Sequence, residues 1–327
     1  MLASDRVAMP KVNQETLADF PLPYTDQSTQ RVIANFLDRK TAAIDALISE
    51  KEKLIERLEE LRASIVHRAV TRGLDPTVEL KDSGVAWIGE VPRHWDTALL
   101  RLLARIESGH TPSRSHPEYW IPSECTIPWF SLADVWQLRD GTQKYLGETT
   151  ECISELGMAN SAARLLPPNT VVLSRTASVG FSGIMPRPMA TTQDFVNWVP
   201  TGRLVPDYLM WTFRAMKPEF DRLMMGSTHK TIYMPDVRQM RGPVPPLQEQ
   251  EAIAKFLDAT TGQQDEMQRT VREQINRLKE YRQSLITHAV TGQMTIEELD
   301  AQPTPTDEAP PTPIAEGKPA QLSLLGE

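Results

Sequence analysis

The sequence predicts an α+β chain: one mixed α/β domain flanked by two long helices that pack on each other, with a disordered acidic tail behind them. Three observations support this. A segment near the start recurs 220 residues later with helical periodicity. The stretch between the copies is rich in Trp, Gly and Pro and carries short apolar runs bounded by turn residues. The end of the chain combines proline with acidic side chains and offers too little apolar surface to offset its ordering entropy.

Residues 1–23 read as a lead-in, closed by the Pro-rich PLP at Pro21 to Pro23. The first long helix is expected over 24–73. QRVIANFLD (Gln30 to Asp38) returns as QEAIAKFLD (Gln250 to Asp258), and the register holds without a gap, with 17 of 43 positions identical from Gln30 to Arg72. Ile44, Lys51, Leu58 and Ile65 stand seven apart, with Leu47, Leu54, Leu61 and Arg68 between them. We read these as the a and d rows of a heptad, Lys51 interrupting it and Ile48 and Ile55 widening the stripe. Around 40 residues at about 1.5 Å each make a rod of roughly 60 Å.

The central domain is expected over 80–242. TIPWFSL (Thr126 to Leu132), NTVVLSR (Asn169 to Arg175) and DFVNWVP (Asp194 to Pro200) read as strands. Leu209, Phe213, Met216, Phe220 and Leu223 recur at helical spacing. Trp87 and Trp95 read as packing residues. The second long helix is expected over 246–293, with Val271, Leu278 and Leu285 at a and Met267 and Tyr281 at d.

The tail, 295–327, holds seven acidic residues against Lys318 and therefore −6 of the chain's formal charge of −8. From Leu80 to Met240, 16 basic residues meet 16 acidic ones. The acidic total thus describes the tail and does not exclude a nucleic-acid partner. Cys125 and Cys152 form no disulfide framework and no zinc-ligand spacing. No apolar run approaches the roughly 20 residues of a membrane span, and the first residues lack a signal-peptide core. A cytoplasmic location is the expectation.

Binding chemistry is sought in three loops, where a scaffold presents polar groups. GHTPSRSHPEYW offers Thr111, Ser113 and Arg114, with His110 and His116 beside them. SRTASVG offers Ser174, Arg175, Thr176 and Ser178. GSTHKTIYMP offers Ser227, Thr228, His229, Lys230, Thr231 and Tyr233. Such side chains bond phosphate oxygens and base edges, and Arg can pair bidentately with guanine. The plainer alternatives stand beside this: Arg175 as an exposed or salt-bridged residue closing a strand, and His229 and Lys230 as ordinary turn residues. His110 and His116 lack a carboxylate or Cys to complete a metal site. The sequence has no phosphate loop, no GxGxxG and no nucleophile elbow. It offers binding chemistry with neither catalytic residues nor a metal site.

The order of these segments carries a resemblance. A Pro-rich lead-in, a QxxIAxFLD helix ending in AVT, KDSGVAWIGEVPRHW (Lys81 to Trp95), and a second such helix follow one another. With TPS (Thr111 to Ser113), IPW (Ile127 to Trp129), SRTASVG and PPLQEQ (Pro245 to Gln250), the chain resembles the DNA-specificity (S) subunit of type I restriction–modification systems. The resemblance covers nearly all of Leu17 to Met294. It implies a non-catalytic subunit that reads double-stranded DNA. Its helices would pair as an antiparallel coiled coil and set the spacing of two half-sites. Methyltransferase subunits would dock on it and a motor/nuclease subunit would join for restriction. S-adenosylmethionine, ATP and Mg²⁺ would belong to those partners. The family's full form has two recognition domains, and this chain shows one; the resemblance implies that the lead-in, 1–23, is a remnant of the other. A half-length subunit that pairs with a second half, a truncated gene product, and a reservoir of recognition sequence are the readings that follow. A coiled-coil adaptor is the rival from another class.

Overall fold

The computed structural model describes residues 13–224 and 230–300. Most of the lead-in and nearly all of the expected tail lie outside them. The described chain forms two compact units, one from residues 13–53 with 272–300 and one from residues 54–271. Its helices are α1 (Gln14–Ala18), α2 (Gln27–Arg72), α3 (Glu155–Ala159), α4 (Pro206–Ala215), α5 (Lys217–Leu223), α6 (Met234–Gln239), α7 (Leu247–Val290) and α8 (Ile296–Asp300).

In the first unit, α2 begins at Asp26, whose carboxylate accepts the Ser28 and Thr29 backbone N–H groups at 2.9 and 3.0 Å. That satisfies donors a first helical turn otherwise leaves orphaned. These bonds, together with the Ser28 and Thr29 hydroxyls, hold its pKa well below the ordinary range. The α2 and α7 segments run antiparallel: Asp45 pairs with Arg282 at 2.9 Å, and Lys51 reaches Gln274 at 2.7 Å. Ile44 and Ile48 are buried on one side, Ile275, Leu285 and Ala289 on the other. A capping box opens α8: Thr295 N–H donates to Glu298 Oε2 (2.8 Å), and Glu298 N–H to Thr295 Oγ1 (3.3 Å).

The heptad reading is corrected in one respect. The a row stands, but Leu47, Leu54, Leu61, Met267 and Tyr281 face outward. Buried or half-buried in their place are Ile48, Ile55 and Arg62 on α2, with Ile275, Arg282 and Ala289 on α7. The period was right and the phase was off by one residue. Each helix carries three apolar rows, and positions three and four residues from a are both near neighbours on a helix. Only the partner helix selects between them.

The second unit is built on antiparallel sheet. Its strands are β1 (Leu80–Asp82), β2 (Glu90–Pro92), β3 (Asp96–Leu99), β4 (Ala104–Ser108), β5 (Cys125–Phe130), β6 (Glu151–Ser154), β7 (Val171–Ser174), β8 (Ser182–Ile184), β9 (Ala190–Thr191), β10 (Phe195–Pro200) and β11 (Arg241–Val244). Four form a sheet in the order β4-β10-β7-β8, all antiparallel. A second sheet, β6-β5-β9, pairs β5 with β9 in parallel. β1 pairs with β2 and β11 with β3. β7 and the first four residues of β10 are buried throughout, as strands covered on both faces must be.

One core joins this sheet to the ends of the long helices. Val66, Ala69 and Val70 of α2, Ile253, Ala254 and Leu257 of α7, and Trp198, Tyr208 and Phe213 belong to a single cluster around Trp95. Gly73 ends α2 at φ +74°, and a Cβ there would stand 3.1 Å from the Trp95 ring. The position needs glycine for its conformation and for its closeness. Trp95 Nε1 donates to Glu249 Oε2 at 2.9 Å, so the buried indole is satisfied. Arg214, buried beside Arg62, has its pKa pushed down to about 10 by lost hydration and then by that neighbouring charge. It ties the 141–143 loop to α4 by donating to the Gly141 and Gln143 carbonyls.

The corrected seam makes a test of two adjacent residues. Ile48 is 8% exposed and Leu47 39%. Ile48→Ala should cost about 2 kcal/mol or more, and Leu47→Ala less than about 1 kcal/mol, in urea unfolding. The reverse order would restore the phase read from the sequence.

Candidate nucleic-acid interface

Two of the three loops bond a fourth segment that sequence reasoning passed over, the turn Thr192–Phe195 between β9 and β10, and the described part of the third, from Lys230, bonds the second. Phe195 N–H donates to the Thr192 carbonyl (3.3 Å) and the Thr192 hydroxyl to Asp194 Oδ2 (3.0 Å). Thr191 and Thr192 are buried, and Gln193 stands exposed at the tip.

Each loop is tied to that turn or to its neighbour. His110 N–H donates to the Thr191 carbonyl (3.0 Å), and Thr111 Oγ1 donates to Gln193 Oε1 (2.7 Å). A Cβ on Gly109 would lie 2.1 Å from the Thr192 carbonyl oxygen, so this close approach admits only glycine. Arg175 N–H donates to the Asp194 carbonyl (2.9 Å), and its Nε to the Gln193 carbonyl (3.1 Å). The stretch from Lys230 is laced to the Arg175 loop: Ala177 N–H donates to the Lys230 carbonyl, Ile232 N–H to the Arg175 carbonyl, both at 2.9 Å. Thr176 and Thr231 face each other in the same short ladder. Ala177 sits at φ +59°, a conformation sparse for residues with a Cβ.

The candidate residues therefore divide. Thr111, Arg175, Thr176, Lys230 and Thr231 are brought together, with Ser178 in the same loop and exposed Tyr233 directly after it. Arg175 makes no ion pair among the described residues; backbone carbonyls hold its Nε and Nη1. The Lys230 ammonium is exposed and has no partner among the described residues. Ser174 is removed from the set: it is fully buried at the end of β7, because its strand is covered on both faces. Ser227, Thr228 and His229 lie outside the described residues.

Arg114 belongs to a separate arrangement. Its guanidinium meets both Glu151 carboxylate oxygens at 2.7 Å and lies 3.8 Å from the Trp120 ring centre. Bidentate pairing and stacking are what the planar guanidinium does best. Arg114 is thus held by its own chain, and Ser113 bonds Ser115 at 2.7 Å. Trp129 Nε1 donates to the His110 carbonyl (3.2 Å), linking this aromatic pair to the first loop. His116 pairs with Glu118. Among the described residues no group of three His, Cys, Asp or Glu could hold a metal ion. Burial, with the Cys152 thiol beside it, pushes the Cys125 thiol up to about 11, away from nucleophilic use. No described helix is long and apolar enough to cross a membrane.

The Arg114 pairing holds the Glu151 carboxyl below the ordinary carboxylate range. A depressed folded pKa contributes stability above the unfolded value and loses it as pH falls through the folded one. The stability gap between the protein and Glu151→Gln should therefore be constant above about pH 5 and shrink as pH drops below the ordinary carboxylate range near 4. Urea melts across pH would show it, and a gap that widens on acidification would refute the pairing.

Comparison with known proteins agrees with this architecture. The type I restriction modification DNA specificity domain matches residues 92–277. The type I restriction enzyme MjaIX specificity subunit of Methanocaldococcus jannaschii is 28% identical over 172 residues, 52% of this chain and 38% of that protein. The putative MjaX specificity subunit of the same organism is 24% identical over 90% of this chain and 64% of its own length. A structure from a study of complex assembly in the type I R-M system covers 88% of this chain and 65% of its own, with a TM-score of 0.69 at 18% identity. The HsdS subunit from Thermoanaerobacter tengcongensis gives 0.50 at 19% identity, with the same coverage. The chain spans less than two thirds of each of these proteins. With more than half of its length matched by the family model, the chain belongs to the family of type I restriction modification DNA specificity proteins.

Proposed function

We propose that this chain reads one half of a split DNA sequence through its central domain and carries methyltransferase subunits on its long helices. The observation that supports the reading is the loop cluster around the Thr192–Phe195 turn. There Arg175 and Lys230 keep their positive charge free of carboxylates among the described residues, whereas Arg62, Arg114 and Arg187 are each tied to one. Cations left unpaired on a rigid frame suit phosphates and base edges. The outward row of Leu47, Leu54 and Leu61 offers apolar surface for the methyltransferase subunits. A motor/nuclease subunit would complete the restriction complex, with S-adenosylmethionine, ATP and Mg²⁺ bound by those partners in the cytoplasm.

A second partner fits the internal repeat. In the second copy, Gln250, Ile253, Ala254 and Leu257 are buried against the central domain. Their identical counterparts Gln30, Ile33, Ala34 and Leu37 are exposed or half-buried. A second chain of this kind would supply the other half-site's domain. Light scattering should then give a two-chain mass, and a mass of one chain at all concentrations would remove this partner.

Lys230→Ala should weaken binding to every duplex and lower the salt slope of log K by about 1. Arg175→Ala should cost roughly 1–3 kcal/mol concentrated at one base pair. Fluorescence titration across salt and sequence separates the two. A complex with no preferred sequence would favour the adaptor reading.

A further inference from the structure

We propose that Gln193 is a base-reading residue of this site, its amide fixed by Thr111 so that it recognises adenine beside the position taken by Arg175. The inference rests on the DNA-reading function above and adds to it a residue and a base.

Gln193 is the exposed tip of a turn whose flanks cannot move freely. Thr191 and Thr192 behind it are buried, and Phe195 ahead of it is fully buried in β10. The turn closes through the Phe195 to Thr192 bond and through the Thr192 hydroxyl on Asp194. An exposed glutamine normally samples several rotamers and loses that freedom on binding. Here Thr111 Oγ1 donates to Oε1 at 2.7 Å, which holds the amide in one orientation. Oε1 keeps one lone pair, and the two Nε2 hydrogens have no partner among the described residues.

That leaves one acceptor and a pair of donors on one planar group. An adenine edge in the major groove presents N7 as acceptor and the N6 amino group as donor, and Gln meets both at once. Guanine offers two acceptors there and no donor, so it would leave Oε1 unmatched. The Gln193 carbonyl meanwhile accepts from Arg175 Nε at 3.1 Å, and no described residue bonds Arg175 Nη2. A guanidinium held from behind, with N–H groups to spare, fits guanine O6 and N7. The two side chains are thus preorganised next to each other by one backbone segment, which reduces the ordering cost of binding.

The test is selection from a random duplex library with the full chain in complex with the methyltransferase subunit, comparing the unaltered protein with Gln193→Ala, Gln193→Glu and Thr111→Val. Gln193→Ala should lose preference at one A·T pair by about 5- to 150-fold and keep the other positions. Gln193→Glu, which can only accept, should shift that position toward cytosine. Thr111→Val should weaken the same position and no other. An unchanged motif with Gln193→Ala overturns the proposal. So does a loss spread evenly over all positions, or a loss at a G·C pair. The absence of any motif with the unaltered protein overturns instead the DNA-reading function on which it rests.

Discussion

One buried amide fixes how the central domain sits on its helix. Gln250 is fully enclosed in the first turn of α7. Its Oε1 accepts from Val205 N–H at 2.8 Å, and its Nε2 donates to the Arg203 and Pro245 carbonyls at 3.1 and 2.9 Å. The Pro245 carbonyl is buried with it, so losing the amide would leave that acceptor with a desolvation cost of about 1–3 kcal/mol. The interaction sets the face of α7 that points inward. Ile253, Ala254 and Leu257 then fall into the core, and Asp258 comes within 2.9 Å of Trp211 Nε1. From Val205 the chain enters α4, and α4 packs on β7 and β8, of which β7 pairs with β10. The candidate interface hangs on the far end of β10, so its position descends from this one side chain.

Charge in this molecule is informative only when sorted by partner. Arg62 is bound to Asp265, Arg114 to Glu151, and Lys144 sits between Asp207 and Asp258. These cations hold loops and helices in place. Arg175 and Lys230 have no carboxylate partner among the described residues, and both lie on the same laced pair of segments. A formal balance of 16 against 16 in the central domain therefore does not tell which of its cations stand without a carboxylate.

Much of the fold was legible because its signals are local or repeated. The copies of QxxIAxFLD, the apolar period of the helices and the runs that became β5, β7 and β10 each follow from chain-local chemistry. The phase of the helix seam was not legible. Leu47 and Ile48 are equally apolar neighbours, and only the opposing helix decides which is covered. The candidate site was half legible. Loops carrying Arg, Lys and hydroxyls could be seen, yet Ser174 looked like its neighbour Arg175 until the strand beneath was known to be covered on both faces. Gln193 went unnoticed because a single glutamine in TTQD has no motif around it. Its meaning comes from Thr111, 82 positions away in the sequence.

The Thr192–Phe195 turn separates what holds the fold from what meets the outside. Its closing bonds use backbone groups and the Thr192 and Asp194 side chains, and its flanks are buried, while the Gln193 side chain contributes nothing to the core. A lineage could therefore replace that residue with little loss of stability. On the reading proposed above, recognition at this point would be free to drift or to be selected, and a population of such chains would diversify its targets one tip residue at a time while the scaffold stays as it is.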